Sequence, residues 1–232
     1  MIPGGDKYVW LVWALAFLIP WGALYAAFPG QRRVMLMSSL LTSLFGLTEP
    51  IFVPEYWNPP SLFDLAQRTG FDIESLIFCF GIGGVGAVLY NGLTGKRLVP
   101  MSHHERNSRR HRFHRVALGT PLVVFAALYF LAWNPIYPGI AALLAGGVAG
   151  VLCRPDLASK TLIGGALFAV IYLVLLIVLE MMAPGYIGRV WNLPALSGAM
   201  LGAIPIEELM FGFGVGAYWS GVYEHLAWHR SS

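Results

Sequence analysis

The segment Thr161–Ala183 restricts the fold most, because it is long enough to cross a lipid bilayer and almost wholly apolar. A helix needs roughly 20 mostly apolar residues to span the hydrocarbon core, where its backbone hydrogen bonds must be satisfied internally. The chain is 57% hydrophobic and only 12% charged, whereas about a quarter of the residues of a soluble domain are charged. The sequence therefore predicts an all-α membrane protein.

Seven apolar segments fit the spanning length loosely, and the fifth is short. They are Tyr8–Phe28, Val34–Val53, Phe71–Leu93, Val116–Trp133, Tyr137–Cys153, Thr161–Ala183 and Ala203–Ala227. Proline and glycine lie between them, as at Ala183-Pro184-Gly185, and these residues commonly end helices. We therefore expect about seven transmembrane helices.

The distribution of positive charge predicts the orientation of the helices. The loop after the third span, Gly95–Arg115, is by far the most basic stretch, and basic loops face the cytoplasm. Alternation of the spans puts Arg32, Arg33 and the stretch from Arg154 to Lys160 on the same side. The N-terminus is therefore expected outside and the C-terminus in the cytoplasm.

The basic loop also invites other interpretations. Its histidines could bind a metal, and its arginine run could bind nucleic acid. The histidines are His103, His104, His111 and His114. No cysteine or acidic cluster completes a ligand set, so we interpret the loop as a topology anchor beside anionic lipid headgroups. The sequence predicts a membrane-lipid partner, no nucleic acid, no metal and no cofactor.

The two cysteines, Cys79 and Cys153, lie in apolar stretches. Free cysteine behaves as a small hydrophobic residue when it is buried. We expect both side chains to be buried, without a disulfide between them and without a metal site built on them.

The chain contains an internal repeat. Residues 71–93 and 204–226 align without gaps, and nine of the 23 positions are identical. Upstream, Trp57-Asn58 matches Trp191-Asn192, and each of these pairs is followed by a proline two positions on. Further upstream, Glu49 and Glu180 end corresponding apolar spans. The same elements in the same order indicate duplication rather than shared low complexity.

The repeat predicts the organisation of the chain. Residues 1–93 form a first three-helix repeat, residues 94–136 the basic loop and a connecting helix, and residues 137–232 a second three-helix repeat. Because each repeat begins on the same side, the repeats are parallel. A site between duplicated halves is common in membrane proteins.

Carboxylates near the ends of the spans are the candidate catalytic groups. They are Glu49, Glu74, Glu180, Glu207 and Glu208. A charged side chain at mid-membrane costs about 2.5–3.5 kcal/mol on insertion scales and usually marks function. Neighbouring helical residues point about 100° apart, so we expect Glu207 to face the site and Glu208 to support it. Pro205 is expected in the first helical turn.

This constellation suits proton transfer to an apolar substrate. Burial of adjacent carboxyls favours one shared proton, which gives an acid usable near neutral pH. Aromatic rings could stabilise a carbocation through their faces. The candidate rings are Trp57, Trp191, Phe78, Phe211, Phe213, Tyr218 and Trp219.

An acid, then Trp and Asn, then Pro205-Ile206-Glu207-Glu208 before an aromatic-rich helix resemble the heterodimeric-type lycopene cyclases of bacteria, archaea and fungi, including their fused two-unit forms. The resemblance covers most of the chain except the basic loop and the fourth span. It implies cyclisation of the linear ψ-ends of lycopene or a related carotenoid to β- or ε-rings, without a flavin. It also implies substrate-binding roles for the Trp-Asn elements, including Asn58 and Asn192.

The first repeat departs from the family pattern. It reads Phe71-Asp72-Ile73-Glu74-Ser75, without the proline and the second glutamate, and Glu49 stands where aspartate is more usual. Both repeats could line one site, or the first could be scaffold.

Two other functions compete with the cyclase. Duplication and membrane carboxylates also fit a proton-coupled transporter, or a carotenoid-binding scaffold. A CAAX-type intramembrane glutamate protease also uses a Glu-Glu pair, but it needs an arginine where this chain has Gly212. His225 lies 17 residues beyond Glu208, about 25 Å along a helix, too far to share a protease site.

Overall fold

The computed structural model describes residues 5–106, 111 and 113–231. The helices are α1 (Val9–Ala16), α2 (Leu18–Ala27), α3 (Arg32–Ser43), α4 (Glu49–Phe52), α5 (Leu65–Thr69), α6 (Ile73–Thr94), α7 (His103–Arg106), α8 (His114–Tyr129), α9 (Ile136–Cys153), α10 (Ala158–Met182), α11 (Tyr186–Val190) and α12 (Ile206–Leu226). The strands are β1 (Leu98–Pro100), β2 (Met200–Leu201), β3 (Ile204–Pro205) and β4 (His229–Ser231). The strands make only two short antiparallel ribbons in this part of the chain, β1 with β4 and β2 with β3.

The chain is an all-α integral membrane protein. Five of its described helical segments are long and apolar enough to cross a membrane. They are Gly5–Ala27, Pro29–Phe52, Ile73–Thr94, Ile136–Cys153 and Pro155–Met182. Helix α8, in the fourth predicted span, has 16 residues, and α12 has 21 but carries several polar groups. The fold class is confirmed, while the count of seven spans and the orientation of the termini stay predictions.

Two helices of equivalent sequence, α6 and α12, pack against each other in the bundle. Helix α3 packs on α6 as α10 packs on α12, and α1 and α2 flank α6 as α9 flanks α12. Gly86 of α6 faces Trp219 of α12, and these two positions are equivalent in the repeat alignment. The helices of the two repeats therefore make nearly equivalent contacts around the α6–α12 pair. Helix α8 has no equivalent in this arrangement and packs against α9 and α12.

The two Trp-Asn segments bind each other directly. Trp57 and Trp191 form an antiparallel bridge. On either side of it, the Asn58 N–H donates to the Val190 carbonyl at 2.9 Å, and the Asn192 N–H donates to the Tyr56 carbonyl at 2.9 Å. These bonds are equivalent under the repeat alignment, so each repeat supplies half of what we call the Trp57–Trp191 tie.

The N-termini of α6 and α12 are built differently. The Asp72 carboxylate caps α6 by accepting from the Ser75 N–H at 2.5 Å, as a helix N-cap does. Before α12, Pro205 is extended (φ −69°, ψ 144°) and belongs to β3. The expectation that Pro205 lies in the first helical turn is therefore wrong by one position, because pairing with β2 holds it in the strand.

Close packing of α10 on α12 depends on glycine. A Cβ atom at Gly216 would lie 2.5 Å from the Gly164 carbonyl oxygen and 2.5 Å from the Phe168 Cβ. Small residues let membrane helices approach each other closely, where packing rather than the hydrophobic effect stabilises the contact.

We expect Gly216→Ala to destabilise the folded protein by about 1–3 kcal/mol, the usual cost of overpacking. The matched control is Gly119→Ala, because no atom lies within 4 Å of a Cβ at Gly119 and alanine is favoured over glycine in a helix by about 1 kcal/mol. Thermal unfolding in detergent should lower the midpoint for the first variant only. Equal midpoints would contradict the packing argument.

Candidate active site

The Glu208 carboxylate is a buried acid of the second repeat that accepts hydrogen bonds from several segments. Its side chain, in the first turn of α12, is only 3% exposed. Its Oε2 accepts from the Tyr172 hydroxyl at 2.6 Å, and its Oε1 accepts from the Trp191 Nε1–H at 2.7 Å and from the Tyr56 hydroxyl. Three donors from three different segments therefore surround one buried carboxylate.

Tyr56 links the two repeats at this point. It comes from the first repeat, and its hydroxyl oxygen also accepts from the Trp191 Nε1–H at 3.1 Å. Burial, together with the charge of Glu208, holds the pKa of Tyr56 well above its ordinary value. The phenol therefore keeps its proton and acts as a donor to Glu208.

An aromatic cluster adjoins Glu208. Tyr172 and Trp191 have one edge at the carboxylate and otherwise contact other rings. The cluster comprises Trp10, Trp13, Phe17, Trp57, Phe78, Tyr172 and Trp191. The rings come from both repeats, and the Trp57 and Trp191 centroids are 5.2 Å apart. Of the substrate-binding candidates predicted from the sequence, this cluster contains Trp57, Trp191 and Phe78.

Glu207 and Glu74 make equivalent contacts. The Glu207 Oε1 accepts from the Ser197 N–H and the Tyr137 hydroxyl, both at 2.8 Å. The Glu74 Oε1 accepts from the Leu62 N–H at 2.6 Å. Each carboxylate thus fixes the loop that follows the Trp-Asn segment of its own repeat. In each case Oε2 is buried without a hydrogen-bond partner among the described residues.

Acidic groups also gather in the first repeat. Glu49 is buried at the start of α4, and its carboxyl interacts with Asp72, Ser75 and Trp57. Asp72 accepts from the Trp10 Nε1–H at 3.2 Å, so this acidic group reaches the aromatic cluster too. Ser75 is the position equivalent to Glu208, and the Glu49 carboxyl lies near it.

Glu180 has a different environment from Glu49, its partner in the repeat. It lies near the end of α10 and is half-buried. Its carboxylate accepts from the Gly185 N–H and, at 3.3 Å, from the Ile187 N–H. These contacts satisfy the start of α11, an N-terminal capping role.

The remaining sequence candidates lie around this centre. The Asn58 and Asn192 side chains are exposed, and the Asn192 amide donates to the Glu55 carbonyl at 2.9 Å. Phe211 lies 5.9 Å from Tyr172, centroid to centroid. Phe213 packs against Gly165 of α10. Catalytic and binding roles for all of these residues stay predictions.

Sequence reasoning missed Tyr56, Tyr172, Trp10 and Trp13. Tyr56 directly precedes the repeated Trp-Asn pair, and Tyr172 is an isolated polar side chain in the apolar run of α10. Those were the available signals. Trp10 and Trp13 belong to the first span, where interfacial tryptophan is common, so their sequence gave no reason to single them out.

Comparison with known proteins bears on the second repeat. A family model described as lycopene cyclase matches residues 134–226. This range contains Glu180, Trp191, Asn192, Glu207 and Glu208. No curated protein and no solved structure matches the chain.

Proposed function

We propose, from the match of residues 134–226 to the lycopene cyclase family model, that the chain belongs to this family and closes β- or ε-ionone rings on the linear ψ-ends of lycopene. The observation that carries this proposal is the Glu208 carboxylate, enclosed by Tyr56, Tyr172 and Trp191 beside the aromatic cluster. A buried acid or base next to ring faces suits an apolar substrate and a cationic intermediate.

The reaction is an isomerisation by proton transfer. A carboxylic acid donates a proton to the terminal alkene of the ψ-end, which leaves a tertiary carbocation. The electron pair of a nearby alkene attacks this cation, closes a six-membered ring and moves the positive charge. A carboxylate then removes a proton beside the new cation, which restores a double bond. The product has the formula of the substrate, so no oxidant or reductant is consumed.

We assign Glu208 the role of proton-handling carboxylate. Two phenols and an indole donate hydrogen bonds to its oxygens and fix its position, and we assign it the role of the base in the second step, where its negative charge would balance the cation. Aromatic faces of the cluster stabilise the cation, a contribution of about 2 kcal/mol or more at a desolvated site. Glu49 of the first repeat is our candidate proton donor, because its carboxyl is buried beside Asp72 and Trp57, at the edge of the aromatic cluster.

This assignment differs from the sequence-based prediction, which gave the proton to Glu207. In the proposal, Glu207 and Glu74 are positioning residues, because each fixes a loop of its own repeat through a backbone N–H. The site then belongs to both repeats, since Tyr56 and Glu49 come from residues 1–93 and Glu208 from residues 137–232. On this view the first repeat is part of the active site rather than scaffold.

The proposal predicts that cells accumulating lycopene will convert it to a cyclic carotenoid when they express this chain. Chromatography of the extracted pigments measures the conversion, and the ring type follows from the absorption spectrum. The control is the same chain without expression induced. If lycopene is unchanged although the protein is folded and inserted in the membrane, the proposal is contradicted. The transporter or binding-scaffold hypothesis would then be favoured.

A further inference from the structure

A second cluster of reactive side chains lies at the other end of the bundle. His111 precedes α8, His114 begins α8, and Cys153 ends α9. One ligand atom from each residue, a ring nitrogen of each histidine and the cysteine sulfur, lies within 4.8 Å of the other two. His114 and Cys153 are buried, and His111 is half-buried. The sequence predicted no metal because no cysteine completed a ligand set with the histidines of the basic loop. The fold brings Cys153, 39 positions beyond His114, next to them.

The separations match those of ligands around a tetrahedral metal. The Cys153 Sγ is 3.8 Å from the His111 Nδ1 and 3.7 Å from the His114 Nδ1. Zinc binds cysteine sulfur at about 2.3 Å and histidine nitrogen at about 2.0–2.1 Å. With tetrahedral angles, those bond lengths put sulfur and nitrogen about 3.5 Å apart. Both sulfur–nitrogen separations therefore exceed this value by only a few tenths of an ångström, and the two histidine nitrogens lie within 4.8 Å of each other.

The tautomer of His114 also suits metal binding. Its other ring nitrogen, Nε2, lies 2.6 Å from the His225 carbonyl oxygen, which can only accept a hydrogen bond. The proton must therefore be on Nε2, and the Nδ1 lone pair points toward Cys153. A backbone carbonyl that orients a histidine in this way is the usual outer-shell partner of a metal ligand.

The surroundings hold the cluster in place. The Trp228 indole stacks on His114 with centroids 4.0 Å apart and meets His111 edge-on. Trp228 has a φ of 54°, a left-handed backbone conformation that is uncommon for a residue other than glycine. The neighbouring cation, Arg154, is already paired with Asp156 at 2.6 Å, which offsets its repulsion of a metal ion.

We propose that His111, His114 and Cys153 form a zinc site, with the fourth position taken by water. Nitrogen and sulfur ligands select zinc over magnesium or calcium. The site joins the segment before α8 to the end of α9, near the β1–β4 ribbon, where the Arg154 guanidinium donates to the His229 carbonyl at 3.1 Å. Glu208 and His225 lie at opposite ends of α12, about 25 Å apart along the helix. The metal is therefore structural and takes no part in cyclisation.

Cobalt(II) gives a direct test, because it replaces zinc and reports its ligands by absorption. The full chain is purified in detergent without an oligohistidine tag, stripped with a chelator and titrated with cobalt(II). We expect one equivalent to bind with a near-ultraviolet thiolate-to-cobalt band, which zinc then abolishes. Cys153→Ser should remove that band, while Cys79→Ser, the matched cysteine control, should retain it.

The histidine ligands are tested through affinity. His111→Gln, at a half-buried position, should weaken zinc binding by at least about 100-fold, more than the loss of an outer-shell partner causes. Each variant is first checked for monodisperse elution, so that loss of binding is not mistaken for loss of fold. A thiolate band that persists in Cys153→Ser, or wild-type zinc affinity in folded His111→Gln, would overturn the proposal.

Discussion

Glu208→Gln should reduce cyclisation by about 10²–10⁴-fold, the range that a positioned acid or base contributes. The amide has the size of the carboxylate but can neither accept the substrate proton nor balance the cation. Its NH₂ group would also face donors, since Tyr56, Tyr172 and Trp191 all direct hydrogens at this side chain. Product formed per unit of folded protein in lycopene-accumulating cells measures the effect.

Two other substitutions make the result specific. Glu207→Gln keeps a carbonyl oxygen that can accept from the Ser197 N–H and the Tyr137 hydroxyl, so we expect much of the activity to remain. Glu105→Gln, at a half-exposed residue of the basic loop that pairs with Arg230, controls for the loss of a carboxylate as such. If Glu207→Gln abolishes turnover and Glu208→Gln does not, the sequence-based assignment is right and the structural one is wrong.

Lys160→Met should destabilise the folded protein by about 3–5 kcal/mol, the usual cost of removing one partner of a buried ion pair. The Lys160 ammonium, near the start of α10, binds the Glu224 carboxylate of α12. The two side chains are 2% and 0% exposed. The substitution keeps the bulk of the side chain and takes the ammonium away from the buried Glu224 carboxylate. Thermal unfolding in detergent, or the yield of monodisperse protein, measures the loss.

The double variant Lys160→Met, Glu224→Leu tests the cause. Apolar residues of similar volume often replace a buried ion pair without loss of stability, so we expect the double variant to recover most of the stability. Equal instability of the single and double variants would contradict the charge argument and would point to packing instead. Cyclase activity per folded molecule should be unchanged in the double variant, because this pair lies at the opposite end of α12 from Glu208.

The sequence predicted the elements that depend on local pattern. Long apolar runs identify membrane helices such as α10, because a lipid-exposed backbone must bond within its own segment. The repeat also predicted that Trp57 and Trp191 are related. It could not predict that they bind each other, because periodicity reports the face of a helix and says nothing about its neighbour.

The candidate active site also depends on contacts between distant segments, which a local sequence pattern does not report. Glu208 was predicted as a supporting acid, but the direction of its side chain depends on Tyr56 and Tyr172, which are 152 and 36 positions away. The Lys160–Glu224 pair was not predicted, because the two residues are 64 positions apart and no local pattern relates them. Cys153 is buried as predicted, whereas Cys79 is only half-buried. The prediction for Cys79 was wrong because α6 is apolar on all sides, so its composition does not distinguish the face that contacts lipid.

The Trp57–Trp191 tie has a consequence for the synthesis of the chain. Tyr56 and Trp191 are 135 positions apart, and ribosomes add about 5–20 residues per second. The first half therefore waits on the order of ten seconds in the membrane before its partner strand emerges. During that interval the peptide groups around Trp57 need water or a chaperone. We expect a product that stops before Val190 to be removed by membrane quality control, even though it carries every residue of the first repeat.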